Sequence, residues 1–130
     1  MDIIITDKAP AAIGSYSQAV KVDNIVYLSG QIGLDEISMQ LVSESVELQI
    51  DKVIDNIQAV CKASGGDLSN LVKINVYLTD LANFSLVNIA MEKYFVSPYP
   101  ARALVEVSAL PKGAKVEMDA IMALPVQQTQ

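Results

Sequence analysis

Apolar and polar residues recur along this chain with two periods, and the changes of period mark its elements. Ile3 to Ile5 form a short strand-like run, ended by Asp7 and by Pro10. Gln18 to Val22 and Ile25 to Ser29, joined by Asp23-Asn24, predict an antiparallel pair with a tight turn. The second of these runs out into Ser29 to Gly33, where small residues let the backbone approach another group closely. Val46, Ile50, Val53, Ile54, Ile57, Val60 and Cys61 then follow at spacings of three and four, which predicts an amphipathic helix. Ser43 or Ser45 suits its start, and Gly65-Gly66 its end. Val72 to Thr79 alternates as a strand with Val72, Ile74, Val76 and Leu78 inward, and Asp80 caps a second helix through Leu81, Phe84, Val87, Met91 and Phe95.

The remaining alternation lies in PARALVEVSALPKGAKVEMDAIMAL, from Pro100 to Leu124. Ala103, Val105, Val107 and Ala109 fall on one side of a strand, Arg102, Leu104, Glu106 and Ser108 on the other. Leu110 to Ala114 supplies turn residues, with Gly113 free to take positive φ, and Val116, Met118, Ala120, Met122 and Leu124 form the apolar side of a last strand. Read as a hairpin with both apolar sides turned to one core, this segment puts Arg102 and Glu117 on a shared face. Arg102 then lies across from residue 121 or 122, and four or five residues of strand separate it from Glu117, roughly 13 to 17 Å at about 3.3 Å per residue. One chain does not close that gap, so a neighbouring subunit or a bound ligand with ordered water is expected to bridge it.

The predicted order is three strands, a helix, a strand, a helix and two strands, with no repeat or linker, a single α+β domain over 1–130. Two helices cover one face of one sheet. The other face, carrying Arg102, Leu104, Glu117 and Ile121, reads as a subunit interface with a polar pocket. Composition agrees, because a 130-residue chain that is 52% hydrophobic and 18% charged has more apolar residues than a monomer of this size needs.

A formal charge of −6 disfavours sequence-independent binding to phosphate backbones, so nucleic acid is not expected as a partner. No apolar run approaches the eighteen or so residues of a membrane span, and MDIIITDKAP has no basic n-region of a signal peptide. One cysteine forms no internal disulfide, which makes the cytoplasm the simplest setting, and Cys61 on the apolar side of the first helix reads as a small core residue. The absence of histidine excludes imidazole bases and histidine-containing zinc sites, and no acidic calcium loop or phosphate-cradling glycine pattern occurs. Neither metal nor cofactor is expected. Chemistry is left to Arg, Glu, Asp, Tyr, Ser, Asn and backbone groups.

Among these, Arg102 stands out because a planar fork of donors matches a carboxylate in two hydrogen bonds as lysine cannot, although a surface ion pair is the ordinary fate of an arginine. Glu117 is either a charged residue on a wet strand or a partly buried carboxylate able to orient water and take its proton.

The segments APAAIGSYSQAV, YLSGQIG, DNIQAV, DLANFSLVN and PARALVEVSALPKGAKVEMDAI resemble, in order and spacing, the RidA/YjgF family of reactive-intermediate deaminases. That resemblance covers nearly the whole chain. It implies a fold like bacterial chorismate mutase, a homotrimer with sites between subunits, and hydrolysis of 2-imino acids, released by pyridoxal-phosphate enzymes, to 2-keto acids and ammonia. It further implies that Arg102, the arginine of PAR, binds the substrate carboxylate and that Glu117 handles the attacking water. Tyr16, Ser29 and Asn88 fall where the family has pocket residues. Leu104 departs from the pattern, since many members carry cysteine there; on the Arg102 side of its strand, it is expected to border the pocket and to shape an apolar wall. A binding module for small carboxylates is the alternative from another class, with ribonuclease or translation inhibition, also linked to relatives, a distant third.

Overall fold

In the computed structural model, described over residues 1–126, the elements follow the predicted order. They are β1 (Asp2–Ile4), β2 (Ala19–Val22), β3 (Ile25–Ile32), α1 (Val46–Ala63), β4 (Leu71–Leu78), α2 (Phe84–Tyr94), β5 (Ala101–Glu106) and β6 (Val116–Ala123). The strands form one six-stranded sheet in the order β1-β2-β3-β6-β4-β5, with β4 and β5 parallel and the other pairs antiparallel. Both helices pack on one face. Ile50, Val53, Ile57 and Val60 of α1 and Val87 and Met91 of α2 share a core with Val26 and Leu28 of β3, Ile74, Val76 and Leu78 of β4, and Val116, Met118 and Met122 of β6.

Local chemistry sets the boundaries. Ser45 caps α1 by accepting the Leu48 N–H, and the chain leaves the helix through Gly65 at a φ of 99°, a conformation that an L side chain resists. Asp80 accepts the Ala82 N–H at the head of a 3₁₀ turn that runs directly into α2. Asp23 takes a φ of 54° in the β2–β3 turn.

The last third of the chain differs from the predicted hairpin. β5 and β6 do not pair; β4 lies between them, parallel to β5 and antiparallel to β6. The link after β5 crosses the end of β4 instead, where Val107 N–H donates to Leu78 O and Thr79 N–H donates to Lys115 O. Burial explains the arrangement, since β4 has a run of apolar residues that needs paired neighbours on both edges, whereas β5 is largely exposed. β4, α2 and β5 thus form a parallel crossover unit, which a helix between two strands permits and a short turn does not. A second correction follows in β4, where Val72 is exposed and the register slips between Leu71 and Lys73, so Leu71 takes the buried place expected of Val72. Such a bulge reverses which side chains face the core on its two sides.

Buried polar side chains hold the connections. Gln18 is buried where β2 begins, accepting the Thr6 N–H and donating to the carbonyls of Thr6 and Pro10. It fastens the 6–10 segment across the start of the sheet. Gln49 in α1 donates to Ser43 O and accepts the Lys115 N–H, tying helix to β6. The Gln18→Ala variant, which orphans the groups of Thr6 and Pro10, is expected to lose about 2–3 kcal/mol in urea unfolding; a loss within about 0.5 kcal/mol would show that the clamp is dispensable.

Candidate functional site

The expected site residues separate into two hollows on opposite faces of the sheet. In the β4–β5 register Arg102 pairs with Ile74 and Leu104 with Val76, so both lie on the helix-covered face, at the sheet edge. In the β4–β6 register Glu117 pairs with Tyr77 and Asp119 with Asn75, on the uncovered face. The shared face expected for Arg102 and Glu117 is therefore corrected. The reason is that β5, as an edge strand, turns its small residues Ala101 and Ala103 outward with Val105, while its longer side chains reach toward α2.

The first hollow, of about 420 Å³, is lined by Asn88, Met91, Glu92, Tyr99, Pro100 and Arg102. Arg102 donates from Nη1 to Asn88 Oδ1 at 2.8 Å, and its guanidinium stands 5.5 Å from the centre of the Phe84 ring. Helix α2 thus fixes the fork from one side with an amide and supports it with an aromatic face. Among the described residues no carboxylate lies within 4.0 Å of Arg102, so the surface ion pair that arginine ordinarily makes does not form. One guanidinium N–H is committed to Asn88, which leaves parallel donors for an incoming carboxylate. Leu104 is partly buried and packs against the main core; it is not part of this hollow's lining.

The second hollow, of about 170 Å³, brings Glu117 together with Tyr16, Pro10, Gly30, Ile32 and Pro111. Burial, and after it the negative charge of Asp119, pushes the Glu117 carboxyl above its ordinary value of 4.5. Tyr16 is half exposed, and its hydroxyl accepts the Ile13 N–H at 3.3 Å. Ser29 sits beside this hollow with its hydroxyl donating to Ser17 O, which anchors the loop that carries Tyr16.

Gly30 and Gln18 belong to this second hollow too; the sequence marks the Ser29 to Gly33 stretch for close approach without tying Gly30 to Glu117, and Gln18 is not among the expected site residues. A Cβ on Gly30 would come within 2.7 Å of Glu117 Oε2. The glycine gives the carboxylate its place. The signals were present: a glycine in the middle of an apolar strand marks close approach, and a glutamine opening a buried strand marks a polar clamp. Tyr99, the third addition, lines the Arg102 hollow from the Ser97 to Pro100 turn.

Comparison with known proteins places this geometry. The profile of the family described as Endoribonuclease L-PSP matches residues 6–124. The chain belongs to this family. It is the family that the sequence resembles under the names RidA and YjgF. Among L-PSP family members, the chain is 51% identical over 119 residues to the 2-iminobutanoate/2-iminopropanoate deaminase of Bos taurus, covering 92% of this chain and 87% of that protein. It is 48% identical over 123 residues to the chloroplastic Reactive Intermediate Deaminase A of Arabidopsis thaliana, covering 95% of this chain and 66% of that longer protein. The crystal structure of RidA from an Antarctic Psychrobacter superposes with a TM-score of 0.93 at 51% identity, over 95% of this chain and all of that one (100%). The E. coli YjgF gene product gives 0.90 at 37% identity, over 95% and 98% of the two chains. No helix among the described residues is long and apolar enough to cross a membrane.

The raised Glu117 carboxyl lowers the stability of the fold once it ionises. A carboxyl with a folded pKa above its unfolded one favours the fold fully below the unfolded value and loses that contribution as pH rises through the folded value. Glu117→Gln, which carries no charge, is therefore expected to melt higher than the unaltered protein near neutral pH. The difference should fade as the medium is acidified below pH 4.5, the ordinary value. An equal or lower melting temperature for the variant at neutral pH would mean that the carboxylate is held favourably after all.

Proposed function

We propose that this protein is a 2-iminobutanoate/2-iminopropanoate deaminase that works as a homotrimer, with each active site formed where two subunits meet. The observation that carries the reading is the separation itself. Arg102 points unpaired into one hollow, and Glu117 stands without a donor among the described residues in another, on the opposite sheet face. A second copy that lays its Glu117 hollow against the Arg102 hollow of the first assembles both groups around one small substrate. The uncovered sheet face supports such packing, since Tyr27, beside Ile121, and Val105, beside Tyr77, are each 48% exposed there. The names of the bovine and Arabidopsis relatives support the chemistry.

In this reading Arg102 grips the substrate carboxylate and Asn88 holds the fork in line. Glu117 takes a proton from a water whose oxygen bonds to C2, while the C=N π pair moves to nitrogen. Glu117 then returns that proton to the nitrogen of the resulting amino alcohol, and collapse breaks the C–N bond, releases ammonia and forms the C=O bond as the hydroxyl proton passes to water. An imine is electrophilic when protonated, so orientation and a positioned base suffice. Leu104 contributes through its backbone and its place in the core, not through a thiol. The absence of histidine and the charge of −6 speak against phosphodiester cleavage as the activity. A cytoplasmic setting, where pyridoxal-phosphate enzymes release such imines, completes the proposal.

The direct test is to generate 2-iminobutanoate in the presence of the protein and time the release of 2-ketobutyrate. A rate no faster than in buffer, with the keto acid still bound, would assign the carboxylate-binding role instead. Arg102→Lys is expected to keep the fold and lose about a hundredfold in rate, the loss of a bidentate charged contact; a variant above half the original rate would remove Arg102 from the mechanism. The shared site makes a sharper prediction. Arg102→Ala and Glu117→Gln chains, each inactive alone, should recover activity when unfolded and refolded together, because about a quarter of the sites in randomly mixed rings then hold both intact groups. No recovery from a mixture shown to exchange subunits would place both groups in one chain.

A further inference from the structure

The uncovered face of the sheet carries two carboxylates with contrasting surroundings. Asp119 accepts from Asn75 Nδ2 on one oxygen at 2.7 Å and from the Tyr77 hydroxyl on the other at 2.8 Å. That arrangement, acceptance on both oxygens, suits an ionised carboxylate. Tyr77 is the cross-strand partner of Glu117, yet its hydroxyl reaches diagonally past Glu117 to Asp119. The hydrogen bond to Asp119 is also the first cause that pushes the Tyr77 phenol up, with burial second, so the hydroxyl keeps its proton and remains a donor. Glu117 is left without a donor among the described residues and is partly buried, with Gly30 pressed against its carboxylate. Two residues along one strand face put the Cα atoms of Glu117 and Asp119 about 6 to 7 Å apart.

We propose that Asp119, clamped by Asn75 and Tyr77, is a positioning residue for Glu117, a fixed negative charge beside it that makes its carboxyl ready to take up and release a proton during turnover. The inference rests on the reading of Glu117 as the group that handles water. The other titratable groups around Glu117 do not take over this part. Lys115, immediately before the same strand, sends its Nζ to Glu44, donating to the backbone carbonyl and lying 4.0 Å from the carboxylate. Tyr16 approaches from the loop, and β3 presents the uncharged Gly30, Gln31 and Ile32. Paired carboxyls whose surroundings differ in this way divide the work of fixed charge and proton exchange between them.

The test compares two variants by two readouts. Carbon-13 shifts of the Glu117 side-chain carboxyl, followed against pH, report its titration whether or not the protein turns over substrate. In Asp119→Asn the Glu117 midpoint is expected to move to lower pH, and the acid limb of the rate profile to move with it. In Tyr77→Phe, which retains the Asp119 charge, both should stay near their original positions. An Asp119→Asn midpoint that does not move, or moves upward, overturns the inference. If Asp119→Asn fails to fold, the unaltered protein still decides, because the Glu117 midpoint should lie above the ordinary value of 4.5 and fall as added salt screens the neighbouring charge; a midpoint that salt leaves in place overturns the proposal. Shifts that behave as expected in a protein without deaminase activity would instead leave the electrostatic pairing standing and reject the reading of function.

Discussion

The insertion of β4 between β5 and β6 is the constraint from which the rest of the molecule follows. Its buried apolar residues occupy the middle of the sheet, paired on both sides. Because β5 is reached through α2 and runs parallel to β4, Arg102 comes to lie beneath the helix that steadies it. Because β6 runs antiparallel on the other side, Glu117 emerges on the far face. A hairpin of β5 and β6 would have brought the two charges to one surface; the crossover parts them.

That parting also resolves an electrostatic problem. An arginine and a glutamate sharing a half-buried pocket would neutralise each other, and a substrate carboxylate would then have to displace the glutamate. Held on opposite faces, each stays uncommitted to the other. The guanidinium keeps donors for an anion, and the carboxyl, partly buried and beside Asp119, is pushed above its ordinary value. In the proposed reading neither half does chemistry on its own, and a second copy completes the site.

Periodicity made the element order and both helices legible, since the three- and four-residue spacing of α1 and its flanking serine and glycines are local signals. It named the β2–β3 pair through its tight turn but not the partners of β5 and β6. Alternation in β5 told which residues share a side, and it was right to group Arg102 with Leu104, but which side met the core depended on α2, a non-local fact. Val72 was misplaced for a similar reason, because a bulge leaves no mark in the hydrophobic pattern that distinguishes it from an unbroken strand. Arg102, Glu117, Tyr16 and Asn88 were visible as candidates, and the structure gathers them in pairs, two to a hollow. Close approach at Ser29 to Gly33 was legible, but that Gly30 meets Glu117 and that Gln18 clamps the 6–10 segment was not, since both depend on what touches them.

Gly30 carries a consequence for how this protein can change over time. The nearest atoms to a Cβ placed there belong to the end of the Glu117 side chain, a flexible group that can swing aside, and not to fixed backbone. A methyl at that position would be absorbed by rotation of the carboxylate, and the fold would scarcely register it. Selection for stable, abundant protein is thus almost blind at this position, whereas, with Glu117 in its proposed role, selection for turnover sees it sharply. A lineage that abandoned catalysis while retaining the scaffold would be free to lose this glycine early, well before the core betrayed any change of use.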